Sequence, residues 1–313
     1  MRVLVFARRR VAEALITLFG ASVLIWALMP LAPGDPARMI LIAQGVPEPD
    51  PAQLAELHEQ LHLDRPLYAQ YAHWLWGVLR GDFGFSFASG RPVGGELADR
   101  LPATMMLAAA ALVLAAVLAV VLGLTAARFP GRWPDHGTRG LALVFASVPG
   151  FVVALVLIQV LVVGFGVGKA ALDGTWQQVW MPAVCLAAGM ADTWSRLLRA
   201  ELLTFLDTPV ARVLRARGAS PWRVLWRHGL PNSAVPSLHA LAVGIAMLIG
   251  GATVVETVFT WPGLGSYVVE SVKNRDLPVI QAFTVFAAAC YVITSVAADL
   301  LSSLIDRRIV VDR

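Results

Sequence analysis

The sequence predicts an all-α membrane protein with six transmembrane helices and a small helical extracytoplasmic cap, and three observations carry that prediction. Of 313 residues, 58% are hydrophobic and only 15% charged, well below the roughly 25% charged of a soluble domain. Six apolar stretches divide the chain, and a hydrocarbon core about 30 Å thick takes about 20 residues of helix to cross. Arginine collects between the stretches. Together these exclude an ordinary soluble enzyme. The formal charge is +4, with Lys169 and Lys273 the only lysines. Because the basic residues sit where they orient helices in a membrane, no nucleic-acid partner is implied.

The stretches cover residues 11–31, 101–127, 140–168, 180–198, 235–261 and 277–304. Arg8, Arg9 and Arg10 before the first imitate a secretory signal. Its apolar run exceeds the roughly 7 to 15 residues of a signal core, and further spans follow, so it reads as a transmembrane helix. The second and fifth stretches are dense in alanine and glycine, which let helices approach closely, although a lipid-facing helix can be equally alanine-rich. Pro149 and Gly150 are placed to bend the third. The fourth is weakest, because Asp192 interrupts it. Cys185 and Cys290 lie inside apolar stretches, where a small soft hydrophobe packs well, and no disulfide framework is indicated.

With the N-terminus in the cytoplasm, 17 of the 25 basic residues fall on the cytoplasmic side. Five of the other eight lie in 33–100, a segment too long for the positive-inside rule to govern. The expected division is a cytoplasmic N-terminus and first helix (1–32), an extracytoplasmic helical cap (33–100), a five-helix core (101–306) containing a cytoplasmic loop (199–234), and a cytoplasmic tail (307–313). Within the cap, Asp50, Pro51 and Gln53 form a capping-box pattern. Leu54, Leu57 and Leu61 then share a helix face. A second helical pattern follows Pro66, with Tyr68, Leu75 and Leu79 in register, and ends at the glycine-rich "RGDFGFSFASGRP".

Two motifs imitate catalytic sites. "HEQLH" (His58, Glu59, His62) matches the zincin pattern, in which two histidines one turn apart hold zinc and the glutamate activates water. A catalytic zinc needs a third protein ligand, and none is recognisable, so a solvent-facing helix is the simpler reading. "GFGVGKA" around Lys169 has Val163 and Ala170 where a phosphate-binding loop needs glycine and Ser or Thr. No metal or cofactor is called for, and ATP-driven work would need another chain.

The informative segment is "LDTPVARVLRARGASPWRVLWRHGLPNSAVPSL". It reads as an arginine-rich helix from Pro209 to Arg217, a break at Gly218, then Ser220 as N-cap and Pro221 at the first position of a second short helix. Gly218 takes the positive φ of a tight turn without steric cost, and Pro231 ends the second helix. Arginine content alone would support only a solvated basic loop.

The spacing of Gly218 to Leu230 and Pro231 resembles the cytoplasmic EAA loop of ABC importer permeases. Arg212, Val213 and Leu214 replace the E-A-A residues and His228 replaces the isoleucine, which puts the individual docking contacts in doubt. "LAPGDPA", "LDRPLYAQYAHWLWGVLRGDFGFSF", "LPATMMLA", "GGATVVETVFTWPGLG", "NRDLPVIQA" and "DLLSSLIDRRI" extend the likeness over nearly the whole chain, to the peptide/nickel permease family. "SFASGRPV", "HWLWG", "TWQQVWMPAV" and "NRDLPVIQAFT" are most similar to its nickel and opine-metallophore branch.

The resemblance implies a type I importer permease and no enzyme. Its partners would be a second, homologous permease, two ATP-binding-cassette ATPase chains, an extracytoplasmic solute-binding protein and membrane lipid. Nickel or a metal chelate is the implied cargo, with a dipeptide, oligopeptide or glutathione as the alternative. Arg212, Arg215, Ala216, Arg217, Gly218, Ala219, Ser220, Pro221, Leu230 and Pro231 would form the lever that docks on the ATPase. A secondary transporter with proton-relaying acids and a membrane zinc protease are the readings from other classes. No duplicated half or paired broken helices support the first.

Three acids lie inside apolar stretches, where charge is costly unless it faces the bundle interior, water or a partner. Glu256 is placed either in the outer vestibule of a translocation pathway or as a helix-end carboxylate bonded to backbone. Asp299 is open to a pathway role or to pairing with Arg307 or Arg308. Asp192 faces Arg196 at helical spacing and reads as structural.

Overall fold

The structure, a computed structural model, describes residues 2–31, 34–43 and 45–305. It is all helical apart from one isolated bridge between Phe85 and Pro92. α1 (Arg2–Leu31) leads to three short helices, α2 (Pro36–Ala43), α3 (Pro51–Gln60) and α4 (Leu67–Leu79). Next come α5 (Val93–Arg128), α6 (Trp133–Ser147) and α7 (Gly150–Leu157), which continues as a π-helical stretch to Gly164, and then α8 (Trp180–Leu206). α9 (Pro209–Ala216), α10 (Pro221–Val224), a π-helical turn and α11 (Leu230–Asn232) make a hairpin. α12 (Ala234–Val258), α13 (Leu264–Lys273) and α14 (Leu277–Ile305) complete the bundle. The cap helices and α13 lie at one end, and the hairpin at the other.

α5 and α8 form the central pair. Along α5 the buried residues Leu107, Ala111, Ala115, Ala119 and Gly123 recur every fourth position and make a smooth ridge against its neighbours. A Cβ on Gly123 would lie 3.1 Å from Cγ of Leu198, so glycine sets the approach of the two helices there. The opposite ridge, Met105, Val113, Val117 and Val121, is exposed. The alanines therefore serve packing, while branched valines face outward. α12 joins in the same way, with Gly244 against Trp194, whose indole N–H donates to the Ala240 carbonyl at 3.1 Å.

Three described helices are long and apolar enough to cross a membrane, over Arg8–Leu31, Val93–Arg128 and Leu277–Asp299. The pair Trp133–Phe145 and Gly150–Gly164, bent by 96°, makes a possible fourth. This corrects the expectation of six such spans. α8 carries Asp192, Arg196, Arg199 and Glu201, and its burial by other helices removes the need for lipid-grade hydropathy along its whole length. In α12 the apolar helix among the described residues is the shorter Met247–Val258. The bend has a local cause. Val148 is extended (φ −102°, ψ 118°), as the residue before a proline is forced to be, and Pro149 caps α7.

α5 begins at Val93 rather than near 101, so the second helix reaches two turns beyond its apolar core. Residues 264–273, outside every apolar stretch, form α13.

Candidate functional site

The hairpin is built from two caps and a glycine. Thr208 accepts from the Ala211 N–H and starts α9, and Ser220 accepts from the Arg223 N–H and starts α10, both at 3.3 Å. Between them Gly218 has φ +80° with nothing within 4 Å of a Cβ placed on it. Only backbone strain, not crowding, would oppose another residue there. The underside is apolar and seated. Ala211 and Val224 pack on Phe205, and Leu225 packs with Leu198, Leu202 and Leu124. Gly229 allows the turn to close on Leu202, 2.8 Å from its Cβ position. Arg215 donates to the Leu206 carbonyl and to that of Ala211, capping the free end of α8.

The outer side is cationic and aromatic. Arg212, Arg215, Ala216, Arg217, Gly218, Ser220, Pro221 and Pro231 are exposed, as are Trp222 and Trp226, while Ala219 and Leu230 are half-buried against the apolar seat. The structure thus brings the ten hairpin residues together in one corner packed against the end of α8.

Beside the hairpin, Arg199 of α8 grips Asp135 of α6 with two bonds of 2.7 and 2.6 Å, and the Gly131 N–H donates to the same carboxylate at 2.8 Å. This pair was not legible in the sequence, the one local hint being an acid in the first turn of a helix after "RWP". Asp299 pairs with Arg10 of α1 at 3.1 Å, and Arg10 also meets Glu13 at 2.9 Å. Arg307 and Arg308, the partners expected for Asp299, lie outside the described residues. Asp192 bonds Arg196 at 2.8 Å as its spacing indicated.

Glu256 is fully buried at the cap end. Thr104 of α5 donates to its Oε1 at 2.8 Å, and the N–H groups of Gly265 and Ser266 donate to Oε2 at 2.7 and 3.1 Å. The carboxylate thereby caps the N-terminus of α13, where the helix dipole favours negative charge. The Leu264 N–H in turn donates to Thr104 at 2.8 Å, and the Trp261 indole donates to the Ala103 carbonyl at 3.0 Å. A Cβ on Gly263 would collide with the Glu256 carboxylate. "GGATVVETVFTWPGLG" is thus a tight turn folded around its own acid.

A second clasp lies nearby. Asp276 accepts from the Ser86 hydroxyl and from the N–H groups of Phe87 and Ala88, at 3.0 and 3.4 Å for the latter two. It joins "SFASGRPV" to "NRDLPVIQA", two segments that carried the family resemblance separately.

The "HEQLH" residues diverge. α3 stops at Gln60, and His62 has φ +57°, beyond the helix end, where its ring meets His73 edge-on at 4.9 Å. His58 instead bonds Asp35 at 2.9 Å. Among the described residues no three His, Cys, Asp or Glu side chains form a group that could hold a metal ion.

Two family models match the chain. Residues 119–311 match "binding-protein-dependent transport system inner membrane component", and residues 3–108 match the N-terminal model of such membrane components. The glutathione transport system permease protein GsiC of Escherichia coli (strain K12) is 37% identical over 299 residues, 95% of this chain and 96% of that protein. Its counterpart from Salmonella typhi is 35% identical over 301 residues, 96% of this chain and 97% of that one. Among solved structures, the inward-facing MetNI methionine ABC transporter aligns with TM-score 0.50 at 19% identity, over 74% of this chain and 98% of that one. That likeness concerns the fold. These relatives are glutathione permeases, so they support membership of the peptide/nickel family but not specifically its nickel and metallophore branch.

Proposed function

The chain belongs to the binding-protein-dependent transport system inner membrane component family, and we propose from that premise that it passes a short peptide of glutathione size into the cytoplasm. It is a multi-pass inner-membrane permease subunit of an ABC importer, not an enzyme. It works beside a second, homologous permease, two ATPase chains and an extracytoplasmic solute-binding protein. Both termini and the hairpin would face the cytoplasm, a placement the distribution of arginine supports.

The observation that carries the coupling role is the hairpin's two-sided construction. Its apolar underside packs on α8, so movement of one would be passed to the other, while Arg212, Arg217, Trp222 and Trp226 are exposed for a partner. Closure of the ATPase dimer on ATP would push this corner, and α8 would transmit the movement to the bundle. Arg212, Arg217 and Trp222 provide the contact, and Gly218, Ser220 and Pro221 provide stiffness. Glu256, with both oxygens taken, holds the cap end of the pathway in shape rather than touching cargo.

The test is ATP hydrolysis by the purified complex in lipid, with its binding protein, across glutathione, dipeptides, oligopeptides and a nickel chelate. Stimulation by glutathione or a similar peptide is expected. Stimulation by the chelate alone would overturn the cargo reading, and failure to purify with any ATPase would overturn the coupling reading.

A further inference from the structure

The helix α4, LYAQYAHWLWGVL, contains no Asp, Glu, Lys or Arg and has no buried residue. One face presents Tyr68, Ala72, Trp76 and Leu79 at helical spacing, with Tyr68 77%, Trp76 56% and Leu79 71% exposed. Such a face is unfavourable in water. The opposite side rests on α1. The Tyr71 hydroxyl bonds Ser22 at 2.8 Å, and its ring meets Phe19 and Trp26 edge-on at 6.4 and 5.6 Å.

Ser22 lies well inside the apolar span Arg8–Leu31 of α1. Nine residues of helix separate it from Leu31, about 13 Å at 1.5 Å per residue. α4 is therefore held beside the cap-side half of a membrane-crossing helix. Phe19 is itself exposed, as are Leu15, Ile16, Val23, Leu24 and Leu28, so the free face of α4 continues the exposed apolar surface of α1's membrane-length span. Charge brackets the helix without entering it, with Arg65 just before it and Arg80 just after. The Arg80 guanidinium lies 4.3 Å over the Trp76 ring. Thirteen residues are too few to span a bilayer but suit an interfacial segment. Tyrosine and tryptophan concentrate at the headgroup level, and arginine reaches phosphate from just beneath it.

We propose that α4 is an interfacial helix, its Tyr68, Ala72, Trp76 and Leu79 face seated in the headgroup–acyl boundary of the cap-side leaflet and its two flanking arginines at phosphate level. The cap then stands on the bilayer, not only on the bundle. The occupant is lipid because the surface is continuous with that of α1 and carries aromatic rings between terminal cations.

The experiment uses the complete transporter in nanodiscs of phosphatidylethanolamine and phosphatidylglycerol. Nitroxide labels at Ala72→Cys and Leu79→Cys are compared with one at Ala55→Cys on α3, with the unaltered chain as the baseline for its native cysteines. Collision with oxygen relative to a water-soluble chromium complex should be several-fold higher at Ala72 and Leu79 than at Ala55, at a depth of about 5–10 Å. An aqueous profile matching that of Ala55 would overturn the proposal. Low access to both reagents would also overturn it, and would assign the face to a protein partner. Photoactivatable lipid applied to the unaltered complex gives an independent reading. Adducts on 67–80 are expected, and adducts on α1 with none on α4 would sink the idea.

Discussion

The two ends of the bundle treat charge in opposite ways. At the cap end Glu256 and Asp276 are almost wholly buried, and each is held by donors from distant parts of the chain. At the hairpin end Arg212 and Arg217 are exposed while the apolar residues beneath them are buried. A buried carboxylate with its oxygens filled by hydroxyl and backbone N–H donors holds a shape, because moving it would orphan donors at about 1–3 kcal/mol each. An exposed guanidinium on a turn costs little and is open to a partner. Charge is thus a fastener at one end and is left exposed at the other, on the face proposed to dock.

The contrast breaks most readily at the fastener. Gly265→Ala should destabilise the protein by about 3 kcal/mol, since its Cβ would strike the Thr253 backbone and crowd the Glu256 carboxylate. Glu256→Ala should cost a similar amount, about 3 kcal/mol, by stranding the Gly265, Ser266 and Thr104 donors. Thermal or denaturant unfolding of the purified complex measures both, and wild-type stability in either would remove the fastener. Next, Asp135→Ala should cost about 3 kcal/mol by leaving Arg199 half-buried without its carboxylate. Combining it with Arg199→Leu should restore part of the loss, and strict additivity in that double-mutant cycle would disprove the coupling.

Gly218→Val separates stability from function. The positive φ should cost about 1–2 kcal/mol, too little to unfold the protein, yet cargo-stimulated ATP hydrolysis should be lost while membrane insertion persists. Gly218→Asn, which tolerates that φ better, should fall between. Normal stimulation by the valine variant would take the turn out of the mechanism. The smallest effect on stability is expected for the paired change Arg212→Ala and Arg217→Ala, within about 0.5 kcal/mol. ATPase association should nevertheless weaken, with the loss greatest at low salt. Unchanged association would return these arginines to a solvated loop.

Features written within one turn of chain were legible in the sequence. The Asp50 and Gln53 capping box, the Ser220 cap with Pro221, the positive φ at Gly218 and the break at Pro149 all depend on near neighbours. Partners across the bundle were not. Asp135 and Arg199 are 64 residues apart and Ser86 and Asp276 are 190 apart, distances at which periodicity carries no information. The start of α5 and the whole of α13 were missed for another reason: apolarity marks where lipid begins, and both pieces of helix lie outside the apolar stretches. "HEQLH" failed as a motif because its second histidine falls beyond the end of the helix that the pattern presupposes.

The Asp276 clasp also sets a schedule. Ser86 and the N–H groups around it leave the ribosome long before the carboxylate that will occupy them. At about 5–20 residues per second, 190 residues take roughly 10 to 40 s to synthesise. Throughout that interval the turn lacks the carboxylate that binds its donors in the folded chain. The clasp can close only once residue 276 has been made, with α14 still to follow. A chain that stalled before residue 276 would leave the turn without its carboxylate.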